Sequence, residues 1–453
     1  MGKFLETLKN IWSIEELRKR ILFTLFILAV YRFGAHIVLP GIDPVALKAA
    51  VGQRGATDLL GLINVFSGGA FNKASIFALG IMPYITASII IQLMGFVVPY
   101  FQKLQSQEGE SGRKKINQYT RILTLFITVV QGVAYLGYIT QQGGVDSSIS
   151  QGLFWTSGII ILATGTLFAM WLGEKITDRG VGNGISLLIM VGIIATLPTA
   201  FLAEVTSLAQ SNAWFTLIIE VAGLFLVTMA TLMAVQGVRR IPIQFAKRMI
   251  GRSGSNLPTA GARDFIPLKV NAAGVMPIIF AQAIMFLPLT IGNKLEANNA
   301  FMSALADWKS IPYNIIFFFL VVLFTYVYTA LLVNPQQYAE YLKRQNAFIP
   351  GIKPGKDTED YIDTLTTRVT LPGSIFLGFI SILPAIVGRM GVNDGFAIFF
   401  GGTSLLIMVG VALDTLQQIE SYLLRRKYDG LVKSGKLKGR SSGSNMMGIG
   451  AGI

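Results

Sequence analysis

Long runs of apolar residues alternate along the chain with shorter segments that are rich in Lys and Arg. Ten of these runs have the length of about 17 to 25 residues that a helix needs to cross a bilayer. They lie near 21–39, 75–98, 122–140, 153–172, 183–202, 214–235, 272–292, 311–333, 371–388 and 395–413. The pattern predicts an all-α polytopic membrane protein with ten transmembrane helices.

Composition agrees, because only 14% of the 453 residues are charged, against about 25% in soluble domains. Most of the basic residues fall in every second inter-span segment. Segments 1–20, 99–121, 173–182, 236–271, 334–370 and 414–453 hold 31 of the 38 Lys and Arg residues. Since basic loops remain in the cytoplasm, both termini are predicted to be cytoplasmic.

Ten spans divide into two halves of five, 21–202 and 214–413, around a predicted external hinge at 203–213. An odd number of spans per half predicts that the halves have opposite orientation, as in inverted-repeat transport folds. A cytoplasmic amphipathic helix is predicted at 1–20, either as a membrane anchor or as a partner-binding helix. Residues 414–453 are predicted to form a cytoplasmic tail.

Two basic segments, 236–271 and 334–370, are longer than connections between membrane helices require. Alternating residues from Arg240 to Phe245 predict a partly ordered β-hairpin in the first segment. A short helix is predicted to begin at Asp357 in the second. The length of both segments favours docking sites for a large soluble partner over plain connectors.

Catalytic chemistry has almost no support in the sequence. The chain has no Cys and a single His, His36, which excludes disulfides, thiolate ligands and multi-histidine metal sites. Ionisable residues within spans mark functional sites; here Arg32 and Glu220 are expected to pair with each other or to reach toward the interface. We predict no enzyme activity, no cofactor and no metal.

A short apolar segment at 58–71, DLLGLINVFSGGAF, has about half the length that a crossing needs. Asn64 interrupts it, and the sequence Ser67-Gly68-Gly69 ends it. A re-entrant packing segment is the simpler interpretation of this pattern. The apolar run that follows carries isoleucines at four-residue spacing, which by itself indicates ordinary lipid-facing or core residues.

Five longer motifs are more specific. They are FSGGAFNKASIFALGIMPYITASIIIQL at 66–93, EGESGRKKINQYTR at 108–121, MWLGEKITDRGVGNGIS at 170–186, PLKVNAAGVMPIIF at 267–280 and FGGTSLLI at 400–407. All five closely resemble the SecY family, the channel-forming subunits of the bacterial Sec protein translocase. The resemblance runs from about Arg20 to Arg440 and includes span number, loop lengths and orientation.

The resemblance implies two inverted five-helix halves around a central hourglass pore, closed by an apolar ring and by a movable external plug. The implied ring consists of isoleucines: Ile81, Ile85, Ile185, Ile189, Ile279 and Ile407. The implied plug residues, within 58–71, are Leu60, Leu62, Ile63, Asn64, Val65, Phe66, Ser67, Gly68 and Gly69. The glycines are expected to act as a hinge between the plug and the second span.

A lateral gate is also implied, between the second and third spans on one side and the seventh and eighth on the other. Its candidate polar contacts are Gln92, Gln131 and Asn271. The implied function is a protein-conducting channel of the bacterial plasma (inner) membrane. It passes unfolded secretory polypeptides and releases transmembrane segments sideways into the lipid bilayer, driven by an external motor or by the ribosome.

The implied partners are the small membrane subunits SecE and SecG, the SecA motor ATPase, the ribosome and the precursor polypeptide. The candidate docking residues in the two long basic segments are Arg239, Arg240, Lys247, Arg248 and Lys353. Lys353 stands where the family usually has arginine, and lysine keeps the charge but lacks the planar bidentate fork.

Two other functions remain open at this point. An inverted-repeat secondary transporter for a small solute predicts an acidic coupling residue near the midplane and equivalent broken helices in both halves. A membrane scaffold without a pore is compatible with the composition, but it leaves the isoleucine and plug motifs without a role.

Overall fold

The computed structural model describes residues 12–44, 47, 64–106, 109–145, 150–245, 263–292, 305 and 307–433. The helices are α1 Glu15–Gly34, α2 Met82–Val97, α3 Pro99–Ser106, α4 Gly109–Gln141, α5 Gln151–Arg179, α6 Gly184–Gln210, α7 Trp214–Gln236, α8 Met276–Gly292, α9 Ile311–Leu332, α10 Pro335–Arg344, α11 Lys356–Arg389, α12 Asp394–Ala397 and α13 Gly402–Lys433. Those with 16 residues or more correspond one to one with the ten predicted spans.

Seven helices in the described ranges are long and apolar enough to cross a membrane, namely α4, α5, α6, α7, α9, α11 and α13. Helix α2 is a shorter apolar helix. Helices α1 and α8 have 20 and 17 residues and occupy the first and seventh predicted spans. The chain is therefore a multi-pass membrane protein.

The two halves repeat the same order of packing. In the first half α2 packs on α4, α4 on α5 and α5 on α6, while in the second α8 packs on α9, α9 on α11 and α11 on α13. Helix α1 contacts α6 as α7 contacts α13. Because each half has five membrane helices, equivalent helices run in opposite directions, which confirms the predicted inverted arrangement.

The second span begins later than predicted. Residues 67–81 form a succession of turns, and α2 starts at Met82 rather than at Ser75. Gly80 has a φ of +53°, a left-handed conformation that glycine adopts readily and that does not belong to an α-helix. Pro83 lies in the first turn of α2, where proline is favoured. The expected hinge Ser67-Gly68-Gly69 is therefore separated from α2 by residues 70–81.

Three connections also differ from the predicted boundaries. Helix α6 continues to Gln210, so the halves are joined by residues 211–213 alone rather than by 203–213. Helix α11 runs from Lys356 through the whole ninth span, so the short helix predicted at Asp357 continues into the membrane. Helix α13 extends the tenth span to Lys433, into the predicted tail.

The two long basic segments fold together at one end of the bundle, which we call the basic face. Strands β1 (Val238–Phe245) and β2 (Arg263–Lys269) form the predicted antiparallel hairpin. Strand β3 (Ala347–Phe348), from the second segment, pairs with the other edge of β1. Side chains from both segments share one apolar core, which contains Ile241, Ile243, Leu268, Leu342, Ala347, Ile349 and Ile362. We call this unit the basic-face domain.

The turn segment before α2 is held by close backbone contact with α5. A Cβ atom built on Gly165 of α5 would overlap the carbonyl oxygen of Ile76. On its other side, the Ile76 N–H donates to the carbonyl of Ile37 at 2.9 Å. The segment therefore lies between α5 and the end of α1, where only glycine permits the approach.

We expect Gly165→Ala to lower the free energy of unfolding by about 1–3 kcal/mol, because the added methyl group forces backbone to move in a packed core. Denaturant unfolding of the full chain in detergent measures this loss. Gly152→Ala is the matched control, since a Cβ atom at that position of the same helix meets no atom within 4 Å. Equal losses in the two variants would contradict the close contact.

Candidate functional site

Five of the predicted ring isoleucines meet in one apolar cluster between the halves. Ile81, Ile189 and Ile407 have exposed fractions of only 4%, 9% and 6%. They come from the start of α2, from α6 and from α13, and Ile85 and Ile185 pack against the same cluster. Isoleucine side chains from helices of both halves thus meet in one apolar cluster.

Ile279 lies beside this group rather than in it. It packs on the neighbouring apolar cluster that contains Phe280 of α8 and Tyr328 of α9. Ile85 packs on both clusters and so connects Ile279 to the other isoleucines. The structure therefore places the sixth isoleucine adjacent to the other five, through Ile85.

The end of the predicted plug reaches this site. Leu60, Leu62 and Ile63 lie outside the described residues, but residues 64–69 are described. Val65 and Phe66 are buried in the apolar cluster that contains Ile81, Ile189 and Ile407. The plug segment and the isoleucine ring therefore share one continuous packed interior.

Asn64 is half-buried and has a partner within its own segment. Its side-chain oxygen accepts a hydrogen bond from the N–H of Asn72 at 3.0 Å. Its carbonyl oxygen accepts from the N–H of Gly69 at 2.8 Å and from the hydroxyl of Ser67 at 3.0 Å. These bonds close residues 64–72 into a compact turn, which Asn64 supports from within.

Arg32 of α1 binds the plug segment. Its guanidinium donates to the carbonyl oxygen of Gly68 at 2.9 Å, so the expected pair between Arg32 and Glu220 is wrong. A buried carboxylate oxygen of Glu220 has no hydrogen-bond partner among the described residues.

Sequence analysis also missed Glu204, which is 1% exposed and accepts from the backbone N–H of Asn393 at 2.8 Å. Its signal was an acidic residue directly after the fifth apolar run.

Helix α6 touches the plug segment through its backbone. A Cβ atom at Gly192 would lie 2.8 Å from the carbonyl oxygen of Phe66 and 3.5 Å from the Cα of Gly68. Gly68 itself has a φ of +66°, which favours glycine. Gly192 lies three residues after Ile189, so one face of α6 contacts the plug and contributes to the ring. Nothing in the local sequence marks this glycine.

Of the three candidate gate residues, Gln92 bridges the two halves. The hydroxyl of Tyr328 on α9 donates to the side-chain oxygen of Gln92 on α2 at 2.6 Å. Asn271 has a buried side-chain oxygen with no hydrogen-bond partner in the described part of the chain. Gln131 of α4 is half-buried, and no hydrogen bond of its side chain is found among the described residues. Tyr328 was not singled out from the sequence, because a tyrosine in an apolar run gives no pairing signal.

Comparison with known proteins now decides the family. A family model described as SecY matches residues 75–416. The chain is 42% identical over 438 residues to the protein translocase subunit SecY of Streptomyces coelicolor. The alignment covers 93% of this chain and 98% of that relative. The chain belongs to the SecY family. With this assignment, the secondary-transporter interpretation loses its support.

Two solved structures share the fold of this SecY-family chain at low sequence identity. A protein-conducting channel superimposes with a TM-score of 0.61 at 18% identity and covers 92% of this chain and 94% of that one. Sec61 from a canine ribosome–channel complex of the endoplasmic reticulum gives a TM-score of 0.58 at 18% identity, with the same coverage. The ten-helix channel fold predicted from the sequence is confirmed.

The basic-face domain of this SecY-family chain displays three of the five candidate docking residues. Arg239, Arg240 and Lys353 are exposed, while Lys247 and Arg248 lie outside the described residues. The guanidinium of Arg240 stacks over the ring of Phe265 at 4.8 Å from the ring centre. The carbonyl of Lys353 accepts from the Thr358 hydroxyl at 2.8 Å, which fixes the turn that carries the lysine.

We expect Gly192→Ala to displace the plug segment, because the new methyl group meets backbone rather than a flexible side chain. The overlap is expected to destabilise the packed plug by about 1–3 kcal/mol. This raises the population of molecules with a displaced plug about 5- to 150-fold. Resting ion conductance in planar bilayers measures the effect. Gly410→Ala on α13 is the control, since its Cβ atom meets nothing within 4 Å. Unchanged conductance in Gly192→Ala would overturn the proposed contact between plug and helix.

Proposed function

We propose that the chain forms a pore that conducts unfolded polypeptides across the membrane, with the isoleucine ring as its constriction and residues 58–71 as its plug. The observation that carries the proposal is the packing of Val65 and Phe66 in one cluster with Ile81, Ile189 and Ile407. A closed channel needs such a seal at the point where its two halves meet. The membership of the chain in the SecY family supports this function.

The chemistry of the ring suits a channel that accepts many sequences. Water forms no hydrogen bonds to isoleucine, so a narrow aliphatic constriction dewets and resists ions. An extended peptide passes because aliphatic walls present no hydrogen-bond pattern that a substrate must match. The plug adds a second barrier that moves away when the peptide arrives, and the bond from Arg32 to Gly68 holds it in the resting state.

We further propose that α2 and α4 separate from α8 and α9 to release apolar segments into lipid. The support is the hydrogen bond between Gln92 and Tyr328, which joins α2 to α9. Such bonds contribute only about 0.6 kcal/mol on average within membranes. An arriving apolar helix therefore competes with it readily. Gln131 and Asn271 remain candidates for contacts that form as this gate moves.

We propose that the basic face lies in the cytoplasm of a bacterial cell, at its inner membrane, and that its domain receives the ribosome and the SecA motor. The charge supports this orientation, because basic loops stay in the cytoplasm. Exposed Arg239 and Arg240 suit RNA phosphates or acidic side chains, and the related Sec61 was solved in a ribosome–channel complex. SecE and SecG complete the proposed assembly within the lipid bilayer.

The proposed pore is tested by reconstituting the full chain with its small subunits, SecA, ATP and a secretory precursor. We expect ATP-dependent protection of the precursor from protease. In the triple variant Ile81→Ser, Ile189→Ser and Ile407→Ser, resting ion conductance is expected to rise, because hydroxyl groups let water enter the constriction. The control carries the same change at outward-facing Ile122, Ile160 and Ile218, which are 65–68% exposed. Absence of protection, or equal conductance in both triple variants, would contradict the assignment.

The proposed lateral gate is tested by Tyr328→Phe, which removes the hydroxyl that binds Gln92. We expect segments of lower hydrophobicity to enter the lipid, because the closed seam loses about 0.6 kcal/mol, with an upper bound near 1.7. The measurement is the inserted fraction of a graded series of model segments. Tyr326→Phe on the same helix is the control. A threshold that is the same in Tyr328→Phe and in the wild type would argue against the gate.

A further inference from the structure

An apolar groove of about 400 Å³ lies on the outside of the bundle between α9 and α11. It is near the membrane face opposite the basic face, where α9 begins and α11 ends. Its walls include Ile311, Ile315, Phe319 and Ile386, which are 43–65% exposed. At its end lies one charged side chain, Arg389, in the last turn of α11. An apolar groove that ends at a cation is suited to a lipid, which has an apolar chain and a polar headgroup.

Arg389 is unusual in its position and in its lack of a counter-ion. Only six of the 38 basic residues lie in the segments at this face. The nearby Lys309 is neutralised by a salt bridge to Asp394, whereas no carboxylate pairs with Arg389 in the part of the chain that the structure describes. The favourable helix dipole at the end of α11 explains why a cation is tolerated there, but it leaves the guanidinium donors open to a ligand.

The lining and the position of the groove indicate its occupant. The groove opens outward from the membrane bundle, and its walls are apolar apart from Asn314 and Arg389. An acyl chain suits such a lining. Asn314, the other polar wall residue, uses its amide donors on the carbonyls of Trp308 and Ser310. Arg389 is thus the group that recognises the polar end of the ligand.

We propose that this groove binds one anionic phospholipid, with an acyl chain between α9 and α11 and the phosphate on Arg389. A guanidinium binds a phosphate through two parallel hydrogen bonds. An anionic headgroup such as phosphatidylglycerol leaves that phosphate without an internal counter-ion, unlike phosphatidylcholine. The lipid then fastens the outer end of α11 to α9, the helix whose Tyr328 binds Gln92 across the halves.

Native mass spectrometry of the full chain, purified with the subunits that accompany it, tests the proposal with phosphatidylglycerol as the probe. We expect Arg389→Ala to weaken binding of one lipid about tenfold, equivalent to about 1.4 kcal/mol. Lys73→Ala, an exposed cation at the same face, should leave binding unchanged. Ile386→Trp should reduce binding by filling the groove, and Leu371→Trp, 51% exposed on the same helix, should not.

Several outcomes would overturn the site. Equal weakening by Arg389→Ala and Lys73→Ala would mean diffuse surface charge. Equal binding of phosphatidylcholine would mean a groove without headgroup selection, and competition by glycerol 3-phosphate would mean a free phosphate site. A protein adduct from a crosslinker on Ile386→Cys, unique in a chain without cysteine, would mean a partner helix. If Arg389→Ala lowers the unfolding temperature, Arg389→Lys and Ile386→Trp decide the question instead.

Discussion

The packing at the centre of this chain depends on one close approach, between the backbone of residues 66–68 and the backbone of α6 at Gly192. The approach brings Phe66 into the apolar cluster of the ring isoleucines and places the Gly68 carbonyl within reach of Arg32. All of these contacts involve the same turn, residues 66–68.

The membrane-spanning helices and the basic-face domain are subject to different physical constraints. Within lipid every backbone group must be satisfied internally, so the chain uses helices there, and residues 67–81, which form turns, are mostly buried beside α5 and the end of α1. Outside lipid the chain is free to build a sheet, and it does so from two segments that lie about a hundred residues apart. Helix α11 begins beside that sheet and ends at Arg389, so one rigid element connects the proposed docking surface with the opposite face.

Many polar groups described in the bundle bind a backbone carbonyl. Thr124 and Thr128 donate to carbonyls of their own helix at 2.7 Å, and Tyr135 donates to the Phe71 carbonyl at 2.7 Å. Glu220 and Asn271 are exceptions among the described residues, since each has a buried side-chain oxygen that lacks a partner. These groups therefore position helices and loops.

The sequence by itself determined the ten helices, the inverted halves, the β-hairpin and the family motifs, because run length, charge and alternation are local properties. Only the tertiary structure decided the position of the turns before α2, where the Ile76 carbonyl lies close to Gly165, and the pairing of the two basic segments through strand β3. It also decided that Arg32 binds Gly68 rather than Glu220, and that Tyr328 binds Gln92. Each of these contacts joins residues that are distant along the chain, so no local pattern records them.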